Sequence, residues 1–162
     1  MFFYAARAKR VTLLGNVIIA AVCSSAFIAG AMVTGNYQVV LFPAGFAFVF
    51  VLGRELIKGA EDVEGDSQAG AVTIAVRFGP EKAALWGAML LILCSISAPV
   101  PALTHYFGRT YGLMAELLMV PGILTAAYLV LRYPERVTFN RASWILKLEM
   151  FIGVIVLGLG RS

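Results

Sequence analysis

The sequence predicts an all-α fold, a polytopic transmembrane bundle of about five spanning helices, and three observations carry that prediction. Of 162 residues, 60% are hydrophobic and only 14% charged, against about 25% charged in an ordinary soluble domain. The mean hydropathy is +0.87. Mainly apolar runs of the roughly 20 residues needed to cross a bilayer recur five times, near 12–34, 38–57, 83–104, 111–131 and 144–160. A soluble fold of this length could not cover so much apolar surface with so few charges. The bilayer is therefore the solvent, and residues 1–162 read as one transmembrane domain.

The first run leads into a second apolar run and not into a polar mature chain, so it is not a signal peptide. The second carries Phe42, Phe46, Phe48 and Phe50, which could line an apolar cavity or, as the plainer expectation, face lipid, and ends in the polar segment 54–82. Pro80 and Glu81 supply a helix start for the third run, because proline suits the first helical position and an acid suits the positive end of the dipole. Trp86 and Trp144, near the ends of the third and fifth runs, fit an interfacial belt. Glycines such as Gly15, Gly30, Gly45, Gly87 and Gly153 predict close helix packing in lipid. Cys23 and Cys94 lie in apolar runs without metal-type spacing and read as small buried hydrophobes. His105 stands alone in a short connection and reads as a solvated side chain. Glu116 and Glu149 lie in or near spans, where an ionisable group is a functional candidate by default; both are expected to reach an interface or pair with a nearby base.

The net charge of +4 is scattered among the spans, with no basic face or motif for nucleic acid. It reads as topology. Arg7, Lys9, Arg10, Arg54, Lys58, Arg77, Lys82, Arg132, Arg136, Arg141 and Lys147 fall to one side of the five crossings, and Arg109 and Arg161 to the other. The positive-inside rule then places the amino terminus and the 54–82 segment in the cytoplasm.

Chemistry concentrates in that segment. Residues Arg54 to Asp66 hold five of the nine acidic residues beside Arg54 and Lys58. If the preceding helix continues past Arg54, then Glu55, Asp62 and Asp66 fall near one face, with Asp62 and Asp66 one i,i+4 step apart. Like charges so placed repel unless a cation joins them. Mg²⁺ suits the pattern, because it takes one or two carboxylates and completes its shell with water and phosphate oxygens; Arg54 and Lys58 could hold the same phosphate. A solvated loop needs charge but no particular order, whereas this one continues into Ser67–Thr73 and Phe78-Gly79-Pro80-Glu81. A transporter or channel component with an acidic cation site is the competing class, although such sites lie nearer the midplane in broken helices.

The order R-E-L-I-K-G-A-E-D-V-E-G-D at 54–66, then G-x-x-T at 70–73 and F-G at 78–79, resembles the second aspartate-rich motif of the UbiA family of intramembrane prenyltransferases. Tyr4-Ala5-Ala6-Arg7-Ala8-Lys9-Arg10 with Gly15-Asn16 resembles the family's Y-S-x-x-L-K-R and G-N segment, and Lys147 with Met150 its last-helix K-x-x-M. The resemblance implies a nine-helix prenyltransferase of which this chain supplies the last five helices. It implies Mg²⁺-dependent transfer of a prenyl group, geranylgeranyl in the ether-lipid branch, from its diphosphate to a lipid-precursor hydroxyl such as that of geranylgeranylglyceryl phosphate, in the cell membrane. Another branch, acting on aromatic or quinone acceptors, is the alternative. Asp62 and Asp66 would be the catalytic metal-diphosphate ligands, with Glu55, Arg54 and Lys58 shaping the charge around them and Tyr4, Lys9 and Arg10 at the same rim. The family's first motif, N-D-x-x-D, has no counterpart, since nothing acidic precedes Glu55; a missing amino-terminal half is expected to supply it. Ala5 and Ser67 replace residues that are serine and commonly basic in the family pattern.

Overall fold

Inside a bilayer every backbone N–H and C=O must find its partner within the chain, which leaves helices and closed barrels. A computed structural model describes residues 13–35, 37–103 and 107–159, and among them the regular structure is helical. In chain order these are α1 (Leu14–Thr34), α2 (Tyr37–Glu61), α3 (Val63–Gln68), α4 (Ile74–Phe78), α5 (Pro80–Ser97), α6 (Val100–Leu103), α7 (Arg109–Met114), a π-helical turn at Ala115–Met119, α8 (Val120–Arg132) and α9 (Arg136–Leu159). Five stretches are long and apolar enough to cross a membrane: Leu14–Met32, Val40–Glu61, Pro80–Leu103, Arg109–Arg132 and Arg136–Leu159. Tyr4, Lys9, Arg10 and His105 lie outside the described residues.

The side chains are sorted by size, as lipid demands. On α5 the buried stripe is Ala83, Ala84, Gly87, Ala88, Leu91, Cys94 and Ser95, at helical spacing, while Met89, Leu93 and Ile96 face outward. Small residues let backbones approach where no hydrophobic force drives helices together. Large apolar residues cover the outside: Met32 is 71% exposed, Ile96 69% and Phe151 71%. Such a surface is stable only against lipid tails, and the protein is an integral membrane protein.

Helix α2 packs on α1, α5 and α9; α5 packs on α8, and α8 on α9. Backbones approach closely between α2 and α5, where a Cβ placed on Gly87 would lie 2.7 Å from the Gly53 carbonyl oxygen. Gly87 thus packs as its position suggests, and a Cβ on Gly153 would meet Met119 at 3.3 Å, whereas Gly30 and Gly45 have nothing within 4 Å. The π turn has a local cause. Pro121 has no N–H to bond the carbonyl four residues back, and the widened turn just before it accommodates the loss.

Arg136 bonds Glu64 at 2.7 Å and Asn140 bonds Glu61 at 2.6 Å, so the start of α9 meets the end of α2. Arg54, Lys58, Arg77, Lys82, Arg132, Arg136 and Arg141 therefore share one end of the bundle, and Arg109 opens α7 at the other. Lys147 departs from that pattern. Helix α9 begins at Arg136, which leaves Lys147 about 16 Å along it at 1.5 Å per residue, with its ammonium 4.2 Å from the centre of the Trp144 ring.

Candidate functional site

The acidic stretch is mostly helix. The continuous turns of α2 run to Glu61, Asp62 takes the N-cap position of α3, and the Asp66 N–H bonds the Asp62 carbonyl at 2.9 Å. The residues that follow shape the exit. Gly70 has φ +66°, a left-handed conformation open to glycine. Thr73 caps α4, its Oγ1 accepting from the Val76 N–H at 3.3 Å. Gly79, at φ +96° and ψ 150°, turns the chain into α5 in a region that is essentially glycine-only. The G-x-x-T and F-G elements are thus a turn, a cap and a second turn that bring α4 back against the acidic helix.

Arg54, Glu55, Lys58, Asp62 and Asp66 line one cavity of about 340 Å³, shared with Gly15, Asn16 and Ile19 of α1 and with Thr73, Ile74 and Ala75. Inside it the charges are unequally satisfied. Arg54 pairs with Glu55, both half-buried, while its Nε is buried without a partner. Lys58 Nζ is 3.0 Å from Asp62 Oδ1 and 3.2 Å from Glu61 Oε2. The Asp66 carboxylate is half-buried and has neither hydrogen bond nor ion pair among the described residues. No three His, Cys, Asp or Glu side chains converge as a metal-binding group among them either. What this wall offers is three carboxylates, one of them paired to Arg54, and two cationic groups lining a common space.

A second cavity, of about 330 Å³, lies between α1, α2 and α9, and is walled by Phe27, Phe46, Phe50, Met119, Met150 and Leu157 among others. Phe46 and Phe50 stack at 6.2 Å, and Phe50 is only 5% exposed. These two rings belong to an internal groove, where lipid contact was expected. Glu149 opens on the same groove. It does not reach an end of the bundle and pairs with no base among the described residues: it is 5% exposed, its Oε2 has no partner among them, and it fills the notch left by Gly122. Glu116 sits exposed on the π turn.

Sequence reasoning missed Asn140 and Arg136, because the apolar run that marks the last span starts at 144 and the helix starts eight residues earlier. The available signal was the polar, helix-compatible stretch Arg136–Arg141 after Pro134.

The sequence profile of the UbiA prenyltransferase family matches residues 1–155. The chain is 34% identical to "Digeranylgeranylglyceryl phosphate synthase" of Thermococcus kodakarensis, over 96% of this chain and 55% of the relative. It is 31% identical to the protein of the same name from Methanothermobacter thermautotrophicus, over 99% of this chain and 57% of the relative. A solved chain, from work on "the biosynthesis of Digeranylgeranylglyceryl phosphate synthase in membranes", superposes with a TM-score of 0.90 at 27% identity, covering 99% of this chain and 57% of that one. The chain thus spans little more than half the length of the relatives it matches.

Proposed function

Because the chain belongs to the UbiA prenyltransferase family, we propose that it forms one wall of an intramembrane site that transfers a geranylgeranyl group from its diphosphate to the hydroxyl of geranylgeranylglyceryl phosphate. The observation that carries this reading is the single cavity walled by Asp62, Asp66, Arg54 and Lys58 at the basic end of an apolar bundle. Its donor set fits Mg²⁺, a hard cation that takes one or two protein carboxylates and leaves further positions to phosphate oxygens. Asp66, with no partner among the described residues, and Asp62 would hold it. When bound, Mg²⁺ offsets the charge that builds on the diphosphate as its bond to the allylic carbon breaks.

The chain's own groups do the remaining work. Arg54 and Lys58 present cations to phosphate oxygens, and Glu55 orients Arg54. Tyr4, Lys9 and Arg10 belong to the segment leading into α1, whose Gly15 and Asn16 wall the same cavity, and are proposed to complete its rim. The apolar groove beside Phe46 and Phe50 takes isoprenoid and keeps water from the allylic carbon while the acceptor oxygen forms the new bond. Two carboxylates do not enclose a metal, so a segment bearing an N-D-x-x-D motif, expected from an amino-terminal half, faces them. The basic end lies in the cytoplasm of the cell, as the one-sided Lys and Arg support.

The test is transfer of labelled geranylgeranyl in membranes that contain this chain and the complementary half. Label should move only with Mg²⁺ present. Asp62→Asn and Asp66→Asn should each reduce it at least about 100-fold, the scale of losing one electrostatic contact at a reacting centre. Transfer at the original rate in both variants would refute the assignment.

A further inference from the structure

Lys58 lies between two carboxylates that differ in one respect. Asp62 faces the cavity, whereas Glu61 is not among the residues lining it and its side chain is only 12% exposed. Glu61 is also held from behind, where Asn140 of α9 donates from Nδ2 to Glu61 Oε1 at 2.6 Å. Its other oxygen is buried, with the Lys58 ammonium in ionic contact at 3.2 Å, and the Ser143 hydroxyl of α9 also interacts with the carboxylate. Across the same ammonium, Lys58 donates to Asp62 Oδ1 at 3.0 Å.

We propose that Asn140 and Glu61 are positioning residues that hold Lys58 beside Asp62 as a displaceable stand-in for a divalent cation. The proposal rests on the reading that Asp62 and Asp66 take that cation. In the structure Lys58 occupies one oxygen of Asp62, so a cation arriving there must displace it. Glu61 makes the displacement inexpensive, because the ammonium leaves one carboxylate while staying paired to another that is anchored to a different helix. Lys58 then remains at the cavity wall with donors to spare, where a diphosphate arrives. Without Glu61, Asp62 would be the remaining carboxylate partner of Lys58, which would compete harder with the cation. Without Asn140, Glu61 regains rotamer freedom and its contact with Lys58 loosens, so the same competition returns.

The arrangement predicts a pattern that packing alone does not produce. The chain and its complementary half, together in lipid nanodiscs, are titrated with Mn²⁺, read by electron paramagnetic resonance, with Mg²⁺ as competitor and thermal melting as the control for folding. Glu61→Gln and Asn140→Ala should each weaken Mn²⁺ binding by about two- to fivefold, the scale of one partly exposed ion pair. The double variant should be no weaker than Glu61→Gln, since both act through one contact. Lys58→Met should tighten binding, and in that background Asn140→Ala should have no effect. Unchanged binding in Glu61→Gln and Asn140→Ala overturns the inference, as does a loss from Asn140→Ala that persists beside Lys58→Met. A parent chain that binds no Mn²⁺, or whose binding survives Asp62→Asn combined with Asp66→Asn, removes the cation reading itself and this inference with it.

Discussion

Substituting Gly87 by alanine tests whether the close approach of α2 and α5 sets the bundle's stability. The added Cβ would lie 2.7 Å from the Gly53 carbonyl oxygen and 2.8 Å from Ile57 Cγ1, and ordinary contact begins near 3.4 Å, so the α2 and α5 backbones must separate by about 0.7 Å. The first obstacle is backbone and cannot rotate away. Overpacking of this kind costs about 1–3 kcal/mol. At roughly 2–4 °C per kcal/mol for a chain of this size, the melting temperature should fall by about 2–12 °C. The control is Gly45→Ala, within α2 and with nothing within 4 Å, which should hold or gain up to about 1 kcal/mol because alanine favours helix. Melting in one detergent, followed by circular dichroism, reads both. Gly53→Ala meets the Gly87 oxygen at 3.0 Å and should cost less; added to Gly87→Ala it should cost almost nothing, since the helices have already parted. If Gly87→Ala melts with the parent chain, or the two substitutions add fully, the close crossing is not what holds α2 against α5.

Two further substitutions probe the site's surroundings. Thr73→Val removes the oxygen that caps α4 and should cost about 1 kcal/mol; the loss should show as faster hydrogen exchange at the Val76 and Arg77 amides, and unchanged exchange would argue against the cap. Glu149→Met keeps the side chain's bulk and removes a buried oxygen with no partner among the described residues, so the chain by itself should gain about 1–3 kcal/mol. A lower melting temperature would mean that Glu149 makes a bond that this structure lacks.

Much of the architecture was legible because lipid imposes a coarse rule. About twenty apolar residues must be consecutive to cross a bilayer, so length and composition along the chain reveal five helices without any knowledge of their neighbours. The candidate site stood out for a different reason. Five acids beside Arg54 and Lys58 concentrate charge in an otherwise apolar bundle, and an ordered motif followed by Gly70, Thr73 and Gly79 is more than a solvated loop requires. The assignment of faces was less legible. Phe46, Phe50 and Phe48 all read as lipid-facing, and only packing against α1 and α9 separates the first two, which wall a groove. Gly45 and Gly87 are the same residue in the same kind of span, yet one faces open space and the other a neighbouring carbonyl.

The sequence by itself determined that this chain is an α-helical membrane protein with five apolar spans, and which segment carries the charge. Those properties follow from local composition, since each helix satisfies its own backbone and meets the solvent independently. Only the tertiary structure decided that Asn140 reaches Glu61 from 79 positions away, that Lys58 is shared between Glu61 and Asp62, and that Glu149 is buried with an oxygen unpartnered among the described residues. Polar groups in a bundle are satisfied by whichever helix lies alongside, and no local pattern records which helix that is.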